Sequence, residues 1–367
     1  MAASASLPFS TLLVAHLPPG ILPPLGTLGV AMRPRIRLSP SAYRRVTLVA
    51  LVLLAAIIVS GGAVRVTGSG LGCPDWPTCA EGRLAPQLFQ ESAGHATIEY
   101  VNRLVTGLVS VVVIVAVLGS LARTPRRRDL VWLSVSLVGG VVGQIVLGGI
   151  TVLTDLHPVA VQSHFLLSLV IVTCAVTLHW RAGRDLRPSG PSEREAAGPV
   201  QPPELSTVRT LSRLTLALLV PAIVAGTVLT GTGPHGGDPE AQRFAFDPRR
   251  AAQVHGVLVE VFTAALLATL VLAWRRGASP AALRRGSVAI AVAAAQSVLG
   301  YTQYLNGVPA LLVGLHILGA TTVWIAVLRW HLGLGEAGPE EVPARRASAA
   351  KDAAAAPAAD LTAAGTA

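Results

Sequence analysis

Nine histidines and three cysteines stand in a chain that is otherwise strongly apolar. Their positions narrow the chemistry they could do. His255 and His316 each lie five or six residues inside a long apolar segment. An ionisable group in such a place is costly and usually functional. Neutral imidazole is a good iron ligand, and two at one depth on neighbouring helices can hold a planar haem from both faces. The alternative is two separate histidines, hydrogen-bonded to backbone or to each other. Their matched depth favours the metal. His164 occupies the same kind of position in an earlier segment, yet the residue placed to face it is Asn102, a poor iron ligand.

His95, Glu99, Asn102 and Arg103 follow at i, i+4, i+7 and i+8, which is one face of a helix. One good ligand beside a carboxylate and a guanidinium reads as a site for a reacting molecule rather than a fixed cofactor. The bland readings are an interfacial Glu99–Arg103 salt bridge and a solvated loop residue at His95. Cys73 and Cys79 flank a segment with prolines at 74 and 77 that forces a turn. Outside the cytoplasm such a pair oxidises to a disulfide, either redox-labile or a plain staple. Cys174 reads as a small hydrophobe. Glu260, deep in the segment of His255, either serves a ligand or protons or is hydrogen-bonded to a neighbouring helix. His157, His179, His235 and His331 receive no role.

These residues need rigid elements to hold them. Of 367 residues, 52% are hydrophobic and 13% charged, with mean hydropathy +0.60. The apolar residues gather in blocks of about 20, the length that crosses a hydrocarbon layer of roughly 30 Å. That excludes a soluble enzyme, a disordered chain and a secreted disulfide scaffold. Aromatics are 4% and strand-like alternation is absent, which excludes an outer-membrane barrel. The fold class is all-α and polytopic, with eight spans over 46–66, 96–121, 130–153, 160–180, 210–231, 251–274, 286–305 and 310–331.

The net charge of +10 comes from arginines in short segments between blocks, so it reads as a topology signal and not as a nucleic-acid patch. Arg44 and Arg45, the 123–128 and 181–194 segments, and Arg275, Arg276, Arg284 and Arg285 would face the cytoplasm. Both termini would then be cytoplasmic and the loop 67–95 outward, in a bacterial inner membrane. Arg243, Arg249 and Arg250 go against this rule.

The predicted organisation is an N-terminal segment 1–45, with Met32 a plausible start, then a four-helix half 46–187. A linker 188–208, a second four-helix half 209–332 and a disordered tail 333–367 follow. The halves repeat each other. Gln144–Gly148 matches Gln296–Gly300, and His164 matches His316, both at an offset of 152; Asn102 aligns with His255 at 153. A duplicated four-helix unit is the economical explanation. Small-residue faces such as Gly139–Gly143 serve packing within a bundle or within a homo-oligomer equally well.

The run Gly62–Cys79, which ends Gly-Leu-Gly-Cys-Pro-Asp-Trp-Pro-Thr-Cys, closely resembles the first-loop signature of the haem A synthases, the CtaA family. Glu99-Tyr-Val-Asn-Arg103 resembles that family's Glu-x-x-His-Arg segment. The resemblance covers about 45–332. It implies an eight-span duplicated bundle that oxidises the C8 methyl of haem O to a formyl group by successive hydroxylations, supplying haem A to a terminal oxidase. It also implies haem b on His255 and His316, haem O bound in the first half with His164 as axial ligand, Glu99 as the essential catalytic residue, and the outward Cys73–Cys79 pair. Haem delivery by a haem O synthase (a farnesyltransferase) and an electron acceptor are implied as partners. Asn102 departs from the family's histidine. The substrate iron would then be five-coordinate through His164, or His95 would take the missing place. The alternatives to an enzyme are a non-catalytic cytochrome b-like electron carrier or an inactive paralogue, and a transporter.

Overall fold

The computed structural model describes residues 37–86, 93–186 and 203–334. The chain divides into a unit 1–37, of which Arg37 alone is described, and a unit 38–367, which contains every described helix. The expected start at Met32 and most of the expected linker and tail lie outside the described residues.

Eight long helices follow one another: α1 (Pro40–Val66), α2 (Ala93–Ala122), α3 (Arg128–Leu153), α4 (Pro158–Ala182), α5 (Pro203–Thr232), α6 (Pro248–Arg275), α7 (Pro280–Leu305) and α8 (Ala310–Gly333). Each is long and apolar enough to cross a membrane, so the chain is a multi-pass membrane protein. Among the described residues the only extended pairings are two isolated bridges, Leu38 with Arg123 and Ala80 with Arg83. The start signals are visible in the sequence. Ser39, Asp247 and Ser279 accept hydrogen bonds from the first free N–H groups of α1, α6 and α7, each followed by a proline that needs no partner there. α5 begins at Pro203, inside the segment read as linker. Its apolar face starts at once: Val208 is fully buried.

The helices close into two rings. α1 packs on α2, α2 on α3, α3 on α4 and α4 back on α1; α5 to α8 make the same circuit. The rings meet through α1 with α8, α4 with α8, and α4 with α5. One buried cluster centres on Leu54, Leu137, Val172 and Leu178, the other on Phe262, Leu266, Ala289 and Trp330. Leu216, Ile223 and Trp324 pack against both. The outer surface is apolar, with Leu118, Trp132, Val142 and Val298 all more than half exposed. Such a surface suits lipid, which needs no polar partner from it.

At the end of the molecule holding the α2–α3 connection, charged groups pair off. Asp185 accepts from Arg123 and Arg127, and Asp129 pairs with Arg127 and Arg181. The hydrogen bond to Asp129 holds the Arg127 guanidinium above its ordinary pKa.

Candidate functional site

His255 sits two turns into α6, and His316 nearly two turns into α8. Their ring centroids are 6.3 Å apart and the ring planes stand at 76°. His255 Nδ1 lies 2.9 Å from the Ala222 carbonyl oxygen of α5. A carbonyl only accepts, so the ring proton belongs on Nδ1 and Nε2 keeps its lone pair, the form that ligates a metal. His316 Nδ1 is buried without a hydrogen-bond partner among the described residues. A metal atom about 2 Å from one nitrogen of each ring would place the centroids roughly 6 Å apart, close to what is seen. The Cε1 edge of each ring lies close against a glycine. A Cβ at Gly226 would come within 2.9 Å of His255 Cε1, and one at Gly300 within 3.1 Å of His316 Cε1.

No group of three or more His, Cys, Asp or Glu that could hold a metal ion occurs among the described residues. Two facing imidazoles therefore suit a metal whose other positions are filled by a prosthetic ring, as in haem, better than a bare ion wanting a protein cage.

The second cluster is a clasp between α2 and the loop after α1. Cys73 and Cys79 form a disulfide. Glu99 is 5% exposed. Its Oε2 accepts from the Cys73 N–H at 2.8 Å, and its Oε1 accepts from Arg103 Nε at 3.1 Å and Nη2 at 2.6 Å. Arg103 also donates to the carbonyls of Cys73, Asp75 and Thr78. One guanidinium thus closes the disulfide loop onto the helix, and the carboxylate balances its charge. The loop approaches so closely that a Cβ at Gly72 would lie 2.5 Å from the His95 backbone. The Glu99–Arg103 salt bridge is therefore present, as a partly buried member of this clasp.

The other expected residues are placed as follows. Asn102 Oδ1 accepts from Ser60 Oγ at 2.7 Å, so its amide is turned to α1. His164 Nδ1 is buried without a partner among the described residues, as His316 Nδ1 is. Gln144 Nε2 donates to the His164 carbonyl at 3.0 Å and Gln296 Nε2 to the His316 carbonyl at 2.9 Å. Gly148 and Gly300 lie against the two imidazoles. His95 is exposed and pairs with Ser69 Oγ at 2.9 Å. It stands two turns, about 10 Å, along α2 from Asn102, so the structure does not set it at the level of the Asn102 slot.

Several of the undecided residues have plain partners. Tyr301 donates to Glu260 across α6 and α7 at 2.8 Å on the exposed surface, which is the second of the two readings offered for Glu260. His179 pairs with Thr47, His331 with Ser212, and His235 with the Val308 carbonyl. Cys174 is free and packs against the first buried cluster.

Sequence reasoning missed Arg65. From the end of α1 its Nε donates to the His235 carbonyl at 2.7 Å and its Nη2 to the Thr230 carbonyl at 3.1 Å. The Gly70 N–H donates to the Gly237 carbonyl beside it. The disulfide loop is thereby tied to the loop after α5. The Gln and Gly partners of the histidines were visible as a shared string, but only as a mark of repetition.

A family model described as "Cytochrome oxidase assembly protein" (COX15-CtaA) matches residues 44–328. The chain is similar to a heme A synthase of Geobacillus thermodenitrificans, 31% identical over 104 residues, which is 28% of this chain and 30% of that protein. It is 29% identical over 131 residues to a heme A synthase of Bacillus pumilus, covering 35% and 41%. With a heme A synthase of Exiguobacterium sibiricum the figures are 28% over 141 residues, 37% and 46%. The matched stretches span less than half the length of each of these relatives.

Proposed function

The chain belongs to the COX15-CtaA family of cytochrome oxidase assembly proteins, and from that premise we propose that it is a haem A synthase. The substrate is haem O, and the change is oxidation of its C8 methyl to a formyl group. The methyl takes one oxygen from water and gives up four electrons and four protons, through hydroxylated stages and a final loss of water. An electron acceptor receives the electrons, and a haem O synthase delivers the substrate.

The observation that carries this reading is the facing pair His255 and His316, with one ring tautomer fixed by Ala222 and both rings seated on glycines. These two residues hold haem b, which when bound supplies a one-electron redox centre. His164 binds the substrate iron from α4. Asn102 and Arg103 line the same half of the molecule, and His95 stays with the loop through Ser69. Glu99 is the catalytic residue. Its carboxylate takes a proton from the substrate methyl region, and the Arg103 and Cys73 donors fix its orientation. The matching circuits of α1–α4 and α5–α8, and the Gln–His–Gly contacts repeated at one spacing, support descent from a duplicated four-helix unit. The reading places the protein in a bacterial cell membrane with both termini cytoplasmic and the disulfide loop outside.

The test is expression in a host that makes haem O but no haem A, followed by haem extraction and mass analysis. Haem A or its hydroxylated precursor in the membranes is the expected result. Haem b on the protein beside untouched haem O would overturn the enzyme and leave an electron carrier or inactive paralogue. Asn102→His would then be the first variant to try.

A further inference from the structure

The two rings differ at one matched place. The offsets of 153 for α6 and 152 for α7 make Gly107 of α2 the counterpart of Glu260, and Gly149 of α3 the counterpart of Tyr301. In the second ring Tyr301 donates to Glu260 at 2.8 Å, and this bond ties α7 to α6. In the first ring two glycines stand at these positions, and no side chain ties α3 to α2 there. A Cβ at Gly107 would meet nothing within 4 Å. α2 and α3 are also the least closely packed neighbours of that ring. Leu104, Leu108, Ile145 and Val146 are exposed on the same two helices at this level. The seam is nonetheless covered. Trp76, from the middle of the disulfide loop, lies on Gly149: a Cβ there would stand 2.9 Å from Cδ2 and 3.0 Å from Cε2 of the indole. Gly149 is buried and Trp76 is 37% exposed, so the ring caps the glycine and keeps one side open. The preceding residue, Gly148, is the one against which His164 Cε1 rests, 3.5 Å from where a Cβ would be.

We propose that Trp76 is a substrate-contacting wall of the first ring, and that haem O enters past it from the lipid between α2 and α3; this rests on the reading of that half as the haem O site. Each ring has an aromatic group beside its histidine. The second takes Tyr301 from its own helix and fixes it with a hydrogen bond. The first borrows Trp76 from a loop and seats it on a residue without a side chain. Arg103 holds the carbonyls of Asp75 and Thr78 on either side of the tryptophan. The indole can therefore turn about its own side-chain bonds while the loop stays in place. The difference suits the two occupants. Haem b stays, and its ring is tied shut at this level. Haem O must come in and its product must leave, and here the seam is closed by a group that can step aside. A haem with a farnesyl chain travels in the lipid, so a seam between two apolar helices is its direct way in. Once it is bound, an indole packed against the flat macrocycle favours retention.

The full-length protein is purified with its haem b from a host that makes no haem O, placed in phosphatidylcholine nanodiscs and titrated with haem O. Absorbance gives the affinity, and stopped flow gives the rates. Trp76→Ala should bind haem O roughly tenfold more weakly, the scale of one aromatic contact. The loss should appear mainly as faster release, with haem b content unchanged. Trp76→Phe should keep most of the affinity. Gly149→Ala pushes the indole off its seat and should copy Trp76→Ala. In a Trp76→Ala background the same glycine change should add nothing, a result that general loosening of the bundle would not give. Gly149→Ala and Trp76→Phe also cover the case of a Trp76→Ala protein that fails to fold. Tyr301→Phe, at the matching place in the other ring, should leave haem O binding as it is. A wild type that carries haem b but binds no haem O overturns the haem A synthase reading and the role of Trp76 with it. Wild-type haem O binding in both Trp76→Ala and Gly149→Ala leaves that reading standing and overturns the role of Trp76 alone. Additive losses in the double variant do the same, since Gly149→Ala would then act without the indole.

Discussion

Glu99 is pulled two ways, and the geometry says how to separate them. As a catalytic base it needs its charge. As part of the clasp it offers one oxygen to the Cys73 N–H and the other, with its charge, to Arg103. Glu99→Gln abolishes the base and keeps an acceptor for Arg103, losing only the one from Cys73, so product formation should fall about 10²–10⁴-fold while haem b content stays. Full activity in this variant, with loss in Glu99→Ala, would make Glu99 a positioning residue. The histidine pair allows a spectral test. Gly226→Ala puts a methyl against His255, and Gly300→Ala puts one against His316. Either should displace its imidazole and shift or reduce the reduced-minus-oxidised haem spectrum, and His255→Ala or His316→Ala should remove it. An unchanged spectrum in the histidine variants would reject both residues as ligands. The histidines were legible because a titratable group in an apolar run stands out. The glycines beneath them were not, since a glycine in a membrane helix is common and only the fold shows what leans on it.

The disulfide loop shows the limits of sequence at the level of elements. Cys73 and Cys79 announce a bridge, but nothing near them announces that Arg103 closes the loop or that Arg65 ties it to residues more than 160 positions away. Guanidinium bonds to backbone carbonyls carry no signature in the partner, whose side chain is irrelevant. Arg65→Leu leaves two carbonyls without these donors. It should cost roughly 2–3 kcal/mol, read as a lower thermal midpoint with the disulfide still formed. An unchanged midpoint would mean that water replaces the arginine. Cys73→Ser is the complementary change. The Cys73 N–H and carbonyl bonds are backbone bonds and survive it. Loop position and haem content should therefore hold, and slower turnover would identify a redox or haem-transfer role for the bridge. Unaltered rates would leave it a staple.

For the whole molecule, the eight spans were readable because each apolar block is bounded by arginines, prolines or polar loops. The arrangement of the spans was not readable, because lipid-facing and bundle-facing positions are equally apolar here. Leu118 faces outward and Leu137 is fully buried, with no difference in residue type. The rings hold together through specific contacts. Trp324 Nε1 of α8 donates to Thr173 Oγ1 of α4 at 2.9 Å, and Gln162 Nε2 of α4 donates to Thr227 Oγ1 of α5 at 2.7 Å. Leu216, Ile223 and Trp324 serve both cores. None of these contacts needs the connection between α4 and α5. A chain split between residues 195 and 196 should then reassemble: a tag on the first fragment should recover the second, with haem content near that of the intact protein. Trp324→Phe removes one hydrogen bond, worth about 1 kcal/mol, and should weaken recovery about fivefold. Recovery of the tagged fragment alone would show that the covalent connection, and not these contacts, holds the rings together.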